Sequence, residues 1–231
     1  LEYAAAAQTP INKNKLSAIR AQALDIDPLY CNFTSGSTGV PKGVLVSHRS
    51  VIDFMSYFPA MFDITEKDVI GNQAPFDFDV SVKDIYSSLK VGATLVILPK
   101  KLFSVVTRLM DTLCDCKVTT LIWAVSALCL VAQFKGLSYR VPESVNKILF
   151  SGEMMPVKFL CLWQSYLPDA AYVNLYGPTE ITCNCTYYRI DHAFGPEDQI
   201  PIGKPFPNEK VFLLDERDCL VTEPAVLGEL C

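Results

Sequence analysis

Ten residues from Thr34 to Gly43, TSGSTGVPKG, concentrate groups that bind phosphate: three glycines, two serines, two threonines and one lysine. Glycines let backbone N–H groups close on an anion, hydroxyls add donors, and a lysine adds a mobile point charge. The spacing is not that of the common phosphate loop G-x-x-x-x-G-K-[ST], because Val40 and Pro41 separate Gly39 from Lys42. The setting differs too. LYCNF precedes the loop and GVLVS follows it, which predicts strand, loop, strand, whereas P-loops and dinucleotide fingerprints open directly into a helix. Such a loop suits a polyphosphate that is gripped and then released.

Three further stretches carry chemistry. NLYGPTE, Asn174 to Glu180, offers an amide, an aromatic face, a hydroxyl and a hard carboxylate at the end of an apolar run. SGE, Ser151 to Glu153, follows another such run. FDFDVSVKDIY, Phe76 to Tyr86, sets Asp79 four residues before Lys83. On a helix that spacing gives an acid–base pair worth a few tenths of a kcal/mol, and Asp79 could equally cap the helix it precedes. For Lys83 the sequence favours an exposed side chain whose stem covers apolar surface, or one held by Asp79, over a lysine facing a pocket.

The elements that must position these groups alternate. Apolar runs predict strands near Leu29 to Phe33, Gly43 to Val46, Ala93 to Leu98, Thr119 to Ala124, Lys147 to Phe150 and Ala171 to Leu175. Between them lie helical stripes: Val82, Ile85, Tyr86 and Leu89 form one, and Leu102, Val105, Val106, Leu109 and Leu113 another. Ser50 opens a further helix, with Asp53 in a weak capping-box position. Val118 to Phe134 is free of charge for 17 residues, the short limit for a membrane span. Its first half is β-branched and its second is not, so it reads as a buried strand running into a buried helix with Ser126 as N-cap. The pattern predicts an α/β fold: a mostly parallel sheet covered by helices, with ligands at the carboxyl ends of the strands. After about Ile190, prolines and glycines punctuate short runs such as KVFLLD, so residues 1–190 read as the α/β core and 191–231 as the start of a β-rich subdomain.

Composition narrows the function classes. With 231 residues and a net charge of −5, basic residues spread rather than clustered, the chain is not built for nucleic acid or an anionic membrane. Nine cysteines, an odd number with C-x-C rather than C-x-x-C spacing and no basic-then-apolar leader before them, argue against a disulfide framework or zinc ribbon and for a reducing, cytoplasmic setting. Cys183, Cys185 and Tyr187 fall at period 2 and are expected on one packed face of a strand.

Taken together, TSGSTGVPKG, NLYGPTE and the terminal LGELC, Leu227 to Cys231, resemble in order three motifs of the adenylate-forming superfamily, and within it the amino-acid adenylation domains of nonribosomal peptide synthetases. That resemblance implies attack of a substrate carboxylate on the α-phosphate of ATP, release of pyrophosphate, and transfer of the acyl group to a phosphopantetheine thiol. Lys42, Thr179 and Glu180 would serve the chemistry. Thr34, Ser35, Gly36, Ser37, Thr38, Gly39 and Lys42 would hold the departing phosphates. Gly152, Glu153, Asn174, Tyr176, Gly177 and Thr179 would hold the rest of the nucleotide, with Asn174 on the adenine amino group, Tyr176 stacked on the purine, Thr179 on the α-phosphate and Glu180 on Mg²⁺.

FDFDVSV resembles the pattern in which an aspartate pairs with the substrate α-ammonium, which gives that role to Asp79. A buried carboxylate facing an amine is a charge-assisted contact that excludes plain fatty or aryl acids. The remaining pocket positions implied by the alignment are Val80, Lys83, Ile122, Leu149, Ser151, Leu175, Cys183 and Asn184. The expected partners are an amino acid, a peptidyl carrier domain and neighbouring synthetase domains. The family's ribose-binding aspartate, hinge and C-terminal domain with its catalytic lysine have no counterpart in these residues, so the 231 residues alone are expected to keep the pocket and to be nearly inactive. Two alternatives stand beside this reading: an acyl-CoA or aryl-acid ligase core, and a nucleotide-binding module without catalysis.

Overall fold

A computed structural model describes residues 7–34, 39–224 and 226–231. Its centre is a seven-stranded sheet in the order β4-β3-β5-β6-β7-β8-β9. The strands are β3 (Val69–Asn72), β4 (Thr94–Ile97), β5 (Thr120–Ala124), β6 (Lys147–Ser151), β7 (Ala171–Tyr176), β8 (Thr186–Ile190) and β9 (Lys204–Pro205). The first five run parallel, and β8 and β9 add antiparallel at one edge. An antiparallel pair, β1 (Pro28–Thr34) and β2 (Lys42–Ser47), forms its own sheet, and β10 (Leu213–Leu214) pairs with β11 (Glu229–Leu230) in another. The six strands expected from the sequence all form. β3 escaped the sequence reading because VIGN is only four residues long, with a glycine inside.

Helices α1 (Lys13–Gln22), α2 (His48–Met61), α3 (Ser81–Val91), α4 (Val106–Asp115), α5 (Val125–Gln133), α6 (Gly136–Tyr139) and α7 (Val157–Tyr166) connect the strands. Side chains alternate across each parallel strand, so the sheet has two cores. Leu121, Trp123, Ile148 and Phe150 point to one face, under α4, α5 and α7. Ile70, Ile122, Leu149, Val173 and Leu175 point to the other, under α2 and α3. Strand and helix meet without a break at Ala124, so the uncharged run from Val118 is a buried strand and a buried helix; among the described residues no helix is long and apolar enough to cross a membrane.

Some local expectations shift. α2 starts at His48, not Ser50, because the His48 and Arg49 N–H groups bond back to the Asp27 and Asp25 carbonyls, and Ser47 is the cap that accepts from the Ser50 N–H. Ala124 rather than Ser126 precedes α5, and its N–H donates to Gln73 Oε1 (3.1 Å). Cys183 and Cys185 are buried as expected, but they stand in a turn before β8 and not on the strand. The largest difference is in α3. The apolar stripe read for it is only half correct, since Leu89 is 72% exposed while Ser81, Lys83, Asp84, Ser87 and Ser88 are buried.

The chain passes from β3 outward to β4 and then back across to β5. The order therefore reverses between β3 and β5, and the carboxyl ends of those strands open a crevice at that point. FDFDVSV leaves the end of β3, and the SGE and NLYGPTE segments leave the ends of β6 and β7.

Candidate active site

Four segments meet at the carboxyl edge of the sheet. The first is the β1–β2 hairpin, whose register pairs Thr34 with Lys42 across the loop. Gly39 has φ +80, the left-handed region, and Lys42 is exposed with no ion pair among the described residues. The strand–loop–strand setting is thus as read from the sequence; Ser35, Gly36, Ser37 and Thr38 lie outside the described residues.

The second and third segments enclose a cleft of about 420 Å³ lined by Gly152, Glu153, Met154, Asn174, Tyr176, Gly177, Gln199, Ile200 and Ile202. The Asn174 Nδ2 donates to the Pro201 carbonyl (2.9 Å), which leaves Oδ1 to accept from an amine. Tyr176, partly exposed, stands at the rim. The far wall, Gln199 to Ile202, was not legible in the sequence, because nothing in QIPI marks it as facing β7. At Gly177 an added Cβ would come within 2.4 Å of the Asn184 Cα and 2.7 Å of the Cys185 nitrogen, so only glycine fits.

That contact holds a strained turn against β7. Thr182 (φ 68) and Cys183 (φ 71) are both left-handed, and the Asn184 N–H bonds to the Thr182 carbonyl (2.9 Å) two residues back. A β-branched residue at positive φ is unfavourable by about 1–3 kcal/mol and persists where surrounding structure dictates it. The turn aims Cys183 and Asn184 at α3. Thr179 and Glu180 occupy a short 3-10 turn just before it, with Glu180 exposed in a cleft shared with Arg49, Asp53 and Glu209.

The fourth segment brings Asp79 and α3. Asp79 is 8% exposed, makes no ion pair among the described residues, and is not a helix cap, because α3 begins at Ser81 after Val80 with no side-chain cap. Its backbone is pinned on two sides: the Cys183 thiol donates to its carbonyl (3.0 Å), and Asn32, with its amide turned to suit its neighbours, accepts from its N–H (2.9 Å). Burial pushes the Cys183 thiol up to about 12, so it remains a donor. Tyr30 of β1 completes this corner with a buried hydroxyl beside Cys183 and Asp79. Tyr30 and Asn32 went unrecognised in the sequence, since alternation in a short strand does not say what its polar face meets.

Lys83 overturns the expectation of an exposed side chain. It is 1% exposed, and its Nζ donates to Asn184 Oδ1 (2.6 Å) and Ser151 Oγ (3.2 Å). Burial lowers its pKa, opposed by Cys183, Asp84 and Asp79 nearby. Ser151 shares a sheet face with Leu149, which pairs with Ile122 across β5 and β6; Leu175 lies on the same face. The structure therefore brings Asp79, Val80, Lys83, Ser151, Cys183 and Asn184 to one end of the crevice, beside apolar Ile122, Leu149 and Leu175.

Residues 3–231 match the family described as AMP-binding enzyme. The chain belongs to that family of adenylate-forming ligases. It is 35% identical over 204 residues to an L-proline–[L-prolyl-carrier protein] ligase of Streptomyces coelicolor, covering 86% of this chain and 37% of that protein. It is 34% identical over 220 residues to bacitracin synthase 1 of Bacillus licheniformis, covering 95% of this chain and 4% of that protein. Among solved structures, the adenylation domain AlmE of Vibrio cholerae in complex with glycyl-adenosine-5'-phosphate superposes with a TM-score of 0.79 at 28% identity, covering 94% of this chain and 41% of that one. The chain thus spans well under half the length of these relatives, and its fold is that of the adenylation domains it matches.

The family uses ATP with Mg²⁺, and the residues present fit both. Asn174, Tyr176 and Gly177 border a cleft that suits a purine. Among the described residues no three His, Cys, Asp or Glu side chains gather into a cage, and the lone Glu180 carboxylate suits a Mg²⁺ held jointly with nucleotide phosphates.

Proposed function

We propose that this chain is the core of an amino-acid-activating adenylation enzyme: a substrate carboxylate oxygen displaces pyrophosphate from the α-phosphorus of ATP, giving an aminoacyl adenylate. Asp79 carries the reading. It is a nearly buried carboxylate that makes no ion pair among the described residues, with Lys83 near but beyond ion-pair distance, and an α-ammonium is the group that would balance it.

In this reading Asn174 accepts from the adenine amino group, Tyr176 packs on the purine, and Gly152, Glu153 and Gly177 form the cleft walls. Thr179 donates to the α-phosphate. Thr34, Gly39 and Lys42, with residues 35–38, hold the phosphates that leave, Lys42 by charge alone. Glu180 would hold Mg²⁺, which would supply neutralisation of phosphate charge. Val80, Ile122, Leu149, Leu175, Cys183 and Asn184 shape the side-chain pocket. The acyl group then passes to the phosphopantetheine thiol of a carrier domain with release of AMP; the carrier protein in the name of the L-prolyl-carrier protein ligase supports such a partner. Residues 191–231 begin a β-rich subdomain whose first part, through β9, still packs on the central sheet.

The test is amino-acid-dependent ATP–pyrophosphate exchange by the full-length protein that contains this chain. One amino acid is expected to support exchange, and Asp79→Ala to lower kcat/KM about a hundredfold by leaving the ammonium unpaired. Exchange driven equally by the matching deamino acid would refute the proposal.

A further inference from the structure

Resting on that reading, we infer that the side-chain end of the pocket selects an amino acid whose side chain ends in a carboxylate, and that Lys83 binds it. Charge and an unfilled hydrogen-bond donor point to this. Lys83 is as deeply buried as the large core side chains, yet no carboxylate lies within 4.0 Å of it among the described residues. Its two partners, Asn184 Oδ1 and Ser151 Oγ, are neutral. An ammonium has three protons, so one remains for a further acceptor.

Nearby acids do not fill that place. Asp79 stands one turn earlier on the chain and is committed to the α-ammonium of the substrate. Asp84 follows Lys83 directly, lies beyond ion-pair distance of it, and is engaged at the end of β3, where its Oδ2 accepts from Asn72 Nδ2 (2.6 Å). Burial also raises the Asp84 carboxyl to about 7, which reduces its charge at neutral pH. With the substrate amine on Asp79, Lys83 is left without an acid, and its burial, which lowers its pKa, disfavours the ammonium unless an anion joins it. A buried charge without a partner is strongly unfavourable, and a substrate carboxylate is the simplest group to balance it.

The placement of side chains at this corner agrees. Ile122, Leu149 and Leu175 are buried on the sheet face below α3, and Ser151 lies two residues beyond Leu149 on that face, at the end of β6. Apolar side chains thus lie along the strands, and the Lys83 amine lies beyond them at the strand end. That order suits a short methylene chain ending in an anion. Asn184, fixed by the strained turn and Gly177, keeps the ammonium in place.

The experiment compares acids with their isosteric amides in ATP–pyrophosphate exchange by the full-length protein: aspartate with asparagine, glutamate with glutamine, and alanine and leucine as neutral references. The best acid is expected to exceed its amide at least about tenfold in kcat/KM, one such factor being what a modest charge-assisted contact supplies. Lys83→Met is expected to abolish that preference, chiefly through KM for the acid, while the Asp79-dependent requirement for an α-amine persists. A neutral amino acid preferred by the wild-type enzyme overturns this inference and leaves the adenylation reading intact. An acid/amide ratio unchanged in Lys83→Met overturns it as well. Exchange with no amino acid at all overturns the parent reading and this inference with it. Should Lys83→Met fail to fold by circular dichroism, the wild-type acid/amide ratio alone decides.

Discussion

At the scale of single residues, the site depends on close fits more than on strong bonds. Gly177 shows this best. Its Cα faces the backbone of Asn184 and Cys185 with no room for a methyl group, so Gly177→Ala must push the 182–185 turn away from β7. The expected cost is about 1–3 kcal/mol, as for other overpacked positions. The same shift would withdraw Asn184 from Lys83 and distort the cleft beside Asn174. Thermal unfolding should therefore show a lower Tm, and exchange assays a raised KM for ATP together with weaker acid/amide discrimination. A variant with normal stability and normal KM would show that the turn tolerates displacement.

At the scale of elements, α3 is the unusual one, because its buried face is polar. Asn72 at the end of β3 donates to both the Ala74 carbonyl (3.1 Å) and Asp84, and Asp84 Oδ1 is buried without a hydrogen-bond partner among the described residues. The Asp84 pKa is raised to about 7, first by burial, against the hydrogen bond from Asn72. The folded state then holds a proton that the unfolded chain releases near pH 4, so this group stabilises least above about pH 7 and its contribution improves as pH falls towards 4. Asp84→Asn keeps an acceptor for Asn72 without the charge. It is expected to raise stability at pH 8 by on the order of 1 kcal/mol and to narrow or lose that advantage at pH 4.5. Urea unfolding at the two pH values checks this; an equal effect at both would mean Asp84 stays ionised.

Asp68, at the opposite end of the sheet, works in the other direction. Burial raises its pKa, but donors from Lys147, Thr65, Thr119 and Thr120 outweigh burial and hold it low. It contributes stability above the ordinary carboxylate range that disappears as pH falls through its depressed value. The two aspartates together favour a stability maximum in mildly acidic solution.

At the scale of the whole molecule, the parts differ in how firmly they are held. β5 and β6 are buried along nearly their entire length and flanked by strands on both sides. The β1–β2 hairpin pairs only with itself and leaves Phe33 and Leu45 exposed, and the β10–β11 pair is two residues long. Hydrogen exchange is expected to be slowest in 120–124 and 147–151, and at least about 100-fold faster in 28–34, 42–47 and 213–214. The β1–β2 hairpin is thus the more easily opened part, as the proposed gripping and release of pyrophosphate would require. Equal protection across the two sheets would remove that argument.

Much of this was readable in the chain itself, for a physical reason. Strand and helix periods, the strand–loop–strand setting of TSGSTGVPKG, and the position of NLYGPTE at a strand end depend on neighbours within a few residues, so local pattern determined them. What local pattern leaves undetermined is which side of a short helix is covered, and by what. Lys83 reads as a surface lysine until Ser151, 68 residues away, and Asn184, 101 residues away, close over it. Asp79 stands free of helix-capping duty, and Tyr30 joins it, only once the hairpin and the 182–185 turn meet at the crevice between β3 and β5. Those contacts are long-range, and burial and charge balance are properties of the packed assembly. The sequence by itself determined the family of chemistry and the elements that carry it; the tertiary structure decided which charged side chains are removed from water, and so what the pocket can select.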